Sequence, residues 1–175
     1  TATIKAESNC VLIEIPRRTM IKVRGNSPDV RQALDQEAAI RQIQTYIAPD
    51  VPREDLIGIA ESSQIKSFKL GEVLFNEGDE ADSLHLIRKG SVSVSKRLGG
   101  RSVVLNYVAT GNYVGEMGLV SNAPRSATVT AAVACETIQI DGSAFKNLMA
   151  SNLKLKASVE SKFKDRITQN ERASQ

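Results

Sequence analysis

Two side chains of opposite charge, Glu116 and Arg125, stand nine residues apart in a run of small and apolar residues from Val114 to Val129. Arginine presents a planar fork of donors that suits phosphate oxygens, and a glutamate carboxylate accepts hydrogen bonds from hydroxyl groups. The pair therefore predicts a site that holds one phosphate beside a hydroxyl-bearing sugar.

The residues around this pair favour close approach of a ligand to the backbone. Gly115 permits a tight turn, and a helical turn beginning at Glu116 would direct free N–H groups towards an anion. Ser126 and Ala127 are small enough for a phosphate to reach their amides. This combination describes a site for a nucleotide monophosphate.

The run resembles the phosphate-binding cassette of the cyclic-nucleotide-binding domain family, which reads Gly-Glu-apolar-small-Leu, a short variable stretch, then Arg-small-Ala-Thr-Val. The chain has Gly115–Leu119, five residues, then Arg125–Val129. Gly118 departs from the alanine commonly found there.

The resemblance implies a role for each residue of the cassette. Arg125 pairs with the exocyclic phosphate of cAMP or cGMP, and Glu116 accepts the ribose 2′-hydroxyl. Ser126 helps to hold the phosphate, and valines line the base, with Phe163 as a candidate cap from the last helix. The expected ligand-binding residues are Gly115, Glu116, Met117, Arg125, Ser126, Ala127, Val94 and Val108.

Periodicity places the cassette in an α+β fold. Residues from Pro28 to about Ile47 read as a helix capped by Ser27, and 54–62 as a second, short helix. Four short alternating segments with glycine-rich turns then predict strands, namely Val73–Phe75, Leu84–Ile87, Ser91–Ser95 and Ser102–Leu105. After Asp141 the helical pattern returns, with apolar positions at Phe145, Leu148, Leu153, Val159, Phe163 and Ile167. We expect an antiparallel β jelly roll of about eight strands with flanking N-terminal and C-terminal helices.

An internal repeat indicates a second domain. Residues 2–15 align with residues 127–140 at a constant offset of 125, with identical Ala, Thr, Ala, Cys, Ile and Ile, and Met20 falls opposite Phe145. We therefore expect residues 1–35 to be the tail of a preceding repeat, a hairpin plus a helix, and residues 36–175 to be a complete binding domain. The alternative is that two unrelated hairpins share a strand-like composition. The arginine of the first repeat would stand just before Thr1.

Composition excludes several classes of function. A net charge of +3 and 4% aromatic residues do not indicate nucleic-acid binding, and no apolar run is long enough to span a membrane. Cys10 and Cys135 lack metal-ligand spacing and read as buried thiols of a cytoplasmic protein. The single histidine, His85, excludes a cupin-type metal enzyme, and no catalytic set can be assembled.

We therefore expect a non-catalytic module that senses cAMP or cGMP, without a cofactor, and regulates a protein or domain outside this chain. The repeat favours a regulator with tandem binding domains, such as the regulatory subunit of a cyclic-nucleotide-dependent kinase. The alternative is the sensor half of a catabolite-activator-type transcription regulator, which needs a helix-turn-helix beyond this sequence. A degenerate domain is disfavoured because Glu116 and Arg125 are both present. The base preference stays open.

Overall fold

The structure is a computed structural model that describes the backbone of residues 5–173 and the side chains of residues 5–169. The chain divides into two compact units, one ending at Leu34 and the other beginning at Asp35. The origin of residues 1–35 in a preceding repeat stays a prediction.

Two helices follow an extended stretch near the N-terminus. Helix α1 spans Arg17–Asn26 and helix α2 spans Pro28–Tyr46, which confirms the predicted helix from Pro28. The Ser27 hydroxyl accepts from the Val30 amide at 3.4 Å, as expected of a cap. Residues 5–15 contain no strand, and residues 2–4 of the predicted hairpin lie outside the described residues, so the hairpin stays a prediction. A hairpin without partner strands is marginal in water.

Eight strands form two four-stranded antiparallel sheets in the described part of the chain. Their bounds are β1 Gln64–Phe68, β2 Val73–Phe75, β3 Ser83–Lys89, β4 Ser91–Leu98, β5 Arg101–Ala109, β6 Tyr113–Val114, β7 Thr128–Ala131 and β8 Cys135–Asp141. One sheet has the order β1-β8-β3-β6 and the other β2-β7-β4-β5. The structure thus confirms the predicted jelly roll and each of the four strands read from the sequence.

Four helices complete the second unit together with the end of α2. They are α3 Arg53–Glu61, α4 Glu116–Ser121, α5 Gly142–Ser151 and α6 Leu153–Ala173. Helix α5 begins where predicted, because Asp141 Oδ1 accepts from the Ala144 amide at 2.8 Å. Leu153 was expected on the apolar face of the last helix, but it is 79% exposed and Leu155 is buried instead. Helix α5 ends before Asn152, whose backbone is extended, and α6 therefore starts with a different helical phase.

The core has two parts that place the cassette between them. One cluster joins the helices to the outer face of the first sheet, with Ile43, Leu84, Ile138 and Phe145 fully buried. The other lies between the sheets and includes Ile87, Val92, Val108 and Val129. The segment from Val114 to Val129 connects β6 of one sheet to β7 of the other.

His85 is a buried, neutral histidine of β3. It is 4% exposed, its Nδ1 lies 3.1 Å from the Thr137 hydroxyl, and the rings of Phe68 and Phe75 pack beside it. Burial, and then the positive charge of Arg125, lowers its pKa to about 4. This structural role agrees with the prediction that His85 is not a catalytic base.

We predict that His85 makes the fold sensitive to mild acid. The unfolded state takes up a proton below its pKa of 6.5 and the native state only below about 4, so the stabilisation is complete above about pH 6.5 and is lost as the pH falls towards 4. The free energy of unfolding should drop by about 2–3 kcal/mol between pH 7 and pH 4.5 from this group alone. In urea unfolding, the free energy of His85→Gln should fall between pH 7 and pH 4.5 by that much less than the free energy of the wild type. An equal pH dependence in the two proteins would contradict the prediction.

Candidate functional site

The cassette turns at Gly115, which no other residue could replace without strain. Gly115 adopts φ +93°, and a Cβ there would lie 2.6 Å from Arg125 Nη1 and 3.2 Å from the Ser83 carbonyl oxygen. The close approach lets the Gly115 carbonyl accept from Arg125 Nη1 at 2.9 Å. The glycine is therefore required both for its conformation and for its lack of a side chain.

The structure also explains why residue 118 is glycine and not alanine. A Cβ at this position would lie 2.5 Å from Ala81 Cβ and 2.8 Å from the Ala123 carbonyl oxygen. The alanine common at this position would therefore not fit without movement of the neighbouring loop, and glycine lets α4 pack closely against Ala81.

Arg125 is a buried cation held by backbone and side-chain acceptors. The residue is 4% exposed, and Nη1 donates to the Ser83 carbonyl at 2.6 Å as well as to Gly115. Nη2 donates to Asp82 Oδ1 at 3.1 Å and to the Ser83 hydroxyl at 3.3 Å. Burial lowers the pKa of Arg125, and Asp82 opposes this shift, so the guanidinium stays charged at neutral pH.

The guanidinium of Arg125 also has a fixed plane and one unused donor. Its Cζ lies 4.2 Å from the centroid of the Phe75 ring, a cation–π arrangement. Nε is buried and has no hydrogen-bond partner. A buried N–H without a partner is costly, which makes it a ready donor for an anionic ligand.

Glu116 is fully buried at the start of α4 and has one paired and one unpaired oxygen. Oε1 accepts from Arg166 Nη1 at 2.5 Å, and Oε2 has no partner. Arg166 comes from α6, and its Nη2 donates to the Tyr113 carbonyl at 2.6 Å. The same arginine thus ties the long C-terminal helix to both α4 and β6.

Glu116 and Arg125 line one cavity that lies beside the cassette. All eight residues that the sequence predicted line it: Gly115, Glu116, Met117, Arg125, Ser126, Ala127, Val94 and Val108. Phe163 does not line the cavity, and α6 contributes Arg166 and Gln169 instead. The roles of the eight predicted residues towards a ligand stay predictions.

Sequence reasoning missed several residues of the site. Arg166 continues the apolar stripe of Leu155, Val159 and Phe163 at helical spacing, and a cation in that stripe was a readable signal. Phe75 and Asn106, which line the cavity, and Asp82, which pairs with Arg125, carried no such signal, because they lie in other strands and turns that only the fold brings near the cassette.

The two unpaired atoms define what the cavity can bind. Arg125 Nε offers a hydrogen bond to an anion, and Glu116 Oε2 can accept one from a hydroxyl. Both belong to the same cavity, whose other walls include Val94, Val108 and Val129. A ligand with an anionic group, a hydroxyl donor and an apolar or aromatic part therefore matches the site.

The family model described as "Cyclic nucleotide-binding domain" matches residues 65–152, which is half of the chain. The match includes the whole cassette. The chain belongs to the cyclic nucleotide-binding domain family.

Curated relatives of this domain are regulators. The chain is 28% identical over 145 residues to the cAMP-dependent protein kinase regulatory subunit of Mycosarcoma maydis, which covers 79% of this chain and 26% of that protein. It is 36% identical over 90 residues to the cAMP-activated global transcriptional regulator CRP of Salmonella typhimurium, which covers 50% of this chain and 43% of that protein. The chain thus spans less than half of the length of these relatives.

Solved structures share the fold of this family member. The regulatory domain of Toxoplasma gondii PKA with cAMP superposes with a TM-score of 0.68 at 20% identity, covering 81% of this chain and 55% of that chain. The sensor domain of the transcriptional regulator DNR from Pseudomonas aeruginosa gives a TM-score of 0.68 at 19% identity, covering 77% of this chain and 91% of that chain.

Neither a membrane-spanning helix nor a metal-binding cluster is found among the described residues of this family member. None of the described helices combines the length and the apolar composition needed to cross a bilayer. The described residues also contain no cluster of three or more His, Cys, Asp or Glu side chains placed to hold a metal ion.

We predict that the Arg166–Glu116 pair holds α6 on the sandwich. Arg166→Met should lower the free energy of unfolding by about 2–4 kcal/mol, because it leaves the Glu116 carboxylate buried and unpaired. The double variant Glu116→Gln/Arg166→Met should cost less than the sum of the two single variants. Lys156→Ala is the matched control, since its pair with Glu160 is exposed and should be worth less than about 0.5 kcal/mol. If urea unfolding shows that the stability losses of the two single variants simply add in the double variant, the pairing is contradicted.

Proposed function

We propose that this domain binds a cyclic nucleotide, with cAMP preferred, and passes the binding event to its C-terminal helices. The observation that carries the proposal is that Arg125 and Glu116 line a single cavity and each keeps one buried atom without a partner, Nε and Oε2. A cyclic phosphate supplies the acceptor for the first atom, and the ribose 2′-hydroxyl supplies the donor for the second.

The charges of the cavity favour a ligand with a single negative charge. The charged residues among the described lining are Glu116, Arg125 and Arg166, and the Glu116–Arg166 pair neutralises two of them. Arg125 remains, with only the largely exposed Asp82 as its counter-ion. One cation matches the monoanionic phosphodiester of a cyclic nucleotide better than the dianion of a 5′-nucleotide.

The site is connected to the helices by buried contacts. Leu119 of α4 is buried in the same cluster as Phe145 and Leu148 of α5. A Cβ on Gly142, the first residue of α5, would lie 2.6 Å from Leu119 Cδ2, so the two helices are in close contact. A ligand that draws the cassette inwards through Arg125 would shift Leu119 against α5. It would favour the closed form only by the difference in its affinity for the two forms.

The relatives support a proposal for the role of the whole protein. The cAMP-dependent kinase regulatory subunits match most of this chain, and we propose a non-catalytic, cytoplasmic regulator with tandem binding domains that controls a kinase-like partner outside this chain. The sensor half of a CRP-type transcription regulator is the second candidate, because CRP gives a higher identity over its shorter match of 90 residues. A co-purified protein kinase would support the first, and promoter DNA binding by the full protein would support the second.

We predict that Arg125→Ala weakens cAMP binding by about 2–5 kcal/mol, or at least thirtyfold, because the phosphate loses the guanidinium that would pair with it. Calorimetric titration of the wild type and of Arg101→Ala, an exposed arginine of β5 outside the cavity, provides the comparison. Removal of the ligand 2′-hydroxyl should weaken binding to the wild type but have little further effect on Glu116→Gln. An unchanged dissociation constant in folded Arg125→Ala would contradict the proposed function.

The base preference depends on two amides at the cavity wall. Asn106 of β5 and Gln169 of α6 both line the cavity, and an amide can pair with either purine. We therefore expect cAMP and cGMP both to bind, with cAMP favoured modestly, since the one carboxylate among the described lining residues, Glu116, is assigned to the ribose and not to the N–H donors of guanine.

We predict that Gln169→Glu shifts the preference towards cGMP by about tenfold, because a carboxylate accepts two N–H donors of guanine at once. Gln169→Ala is the control and should weaken both nucleotides without this shift. Competition binding decides the matter, and an unchanged cAMP/cGMP ratio in Gln169→Glu would place the base away from Gln169.

A further inference from the structure

The N-terminal unit exposes a row of large apolar side chains. Val11, Leu12 and Ile13 are between 79% and 96% exposed, Ile15 is 50% exposed, and Val23 of α1 is 40% exposed. Cys10, expected to be buried, is also exposed. So much apolar surface in one short segment indicates a surface that is covered in the assembled protein.

The structure repeats itself at the offset that the sequence repeat indicated. Helix α5, Gly142–Ser151, lies 125 residues after α1, Arg17–Asn26, at both of its ends. Helix α6 begins at Leu153, again 125 residues after the start of α2 at Pro28. The aligned strand sequences played no part in setting these helix bounds, so the agreement supports the repeat independently.

The backbone of the connecting residues repeats as well. Ser27 and Asn152, each the single residue between two helices, have φ/ψ of −125°/108° and −132°/98°. Pro16 and Asp141, each the residue before the first helix, have −58°/140° and −58°/133°. Residues 16–46 therefore have the same helix–break–helix form as the module that closes the second unit.

The second copy shows what covers such a module. Ile138 and Ile140, the counterparts of Ile13 and Ile15, are 0% exposed in β8, between strands β1 and β3. Leu148, the counterpart of Val23, is buried in the cluster that joins α5 to the first sheet. The same apolar pattern thus has a β sandwich over it in one copy and none in the other.

One polar residue of the closing helix is repeated too. Arg41 of α2 stands 125 residues before Arg166. Its side chain is 76% exposed and contacts Glu37 one turn earlier on the same helix at 3.1 Å. Arg166 instead reaches Glu116 of the nucleotide site.

We propose that residues 10–46 are the last strand and the closing helices of a second sandwich of this same fold, which precedes them in the protein, and that Arg41 pairs with the glutamate of that sandwich's nucleotide site. The partner of the exposed apolar row is therefore a β sheet with an open position for one strand. The proposal rests on the tandem arrangement under the proposed function, but not on the ligand of the second unit.

The coding sequence ahead of Thr1 gives the first test. The offset places an arginine immediately before Thr1 and a glutamate ten residues before it, as counterparts of Arg125 and Glu116. The absence of a jelly-roll pattern over the preceding stretch of about 100 residues would overturn the proposal without any need for folded protein.

The second test uses the chain extended through that sequence. Hydrogen exchange should show residues 10–15 protected like β8, and calorimetry with cAMP should show two sites. Arg41→Ala should weaken one site at least tenfold and leave the other, while Arg166→Ala should do the reverse. Arg31→Ala is the control, because it is an exposed arginine of the same helix whose counterpart, Lys156, is exposed and outside the cavity.

The outcomes separate the two proposals. The present inference would be overturned if residues 10–15 exchange freely in the extended chain. It would also be overturned if Arg41→Ala changes cAMP affinity no more than Arg31→Ala does. If residues 10–15 are protected but the wild-type extended chain binds no nucleotide, the docking of residues 10–46 is supported and the proposed function is overturned instead.

Discussion

The buried guanidinium of Arg125 is the constraint on which the rest of the site depends. A cation that is 4% exposed must be surrounded by acceptors, and the fold supplies the carbonyls of Ser83 and Gly115 together with Asp82. The requirement fixes Gly115 as a glycine, places the start of β3 beside the cassette and orients the ring of Phe75. Because these acceptors use the Nη atoms, Nε alone is left without a partner on the cavity side.

The second buried charge, Glu116, connects the cavity to the C-terminal helix α6. Arg166 satisfies one carboxylate oxygen from α6, so the position of the C-terminal helix and the electrostatics of the ligand site are set by the same ion pair. Leu119 provides a parallel apolar connection from α4 to α5. A handful of buried contacts thus joins the site to the helices, and the proposed sensing would act through these contacts.

Particular elements show how far the sequence could be read. The helix from Pro28, the four strands and the helix after Asp141 followed from periodicity and capping, since each signal lies within the element that it specifies. The cassette was readable for the same reason, as its glycine, acid and arginine lie within one short run. Residues 5–15 form no strand, because a strand forms only when neighbouring strands pair with it. Leu153 was misplaced because the helix break at Asn152 resets the direction in which α6 presents its side chains. Phe163 lies outside the cavity, which Arg166 and Gln169 line from the same helix.

The sequence by itself determined the class of fold, the location of the phosphate cassette and the internal repeat, all of which depend on local spacing. Tertiary structure decided which groups meet at the cavity. Asp82 lies 43 residues from Arg125 and Arg166 lies 50 residues from Glu116, and no local pattern encodes contacts between residues so far apart. Tertiary structure also decided which polar atoms remain unpaired, because that depends on every acceptor and donor that the fold brings within reach.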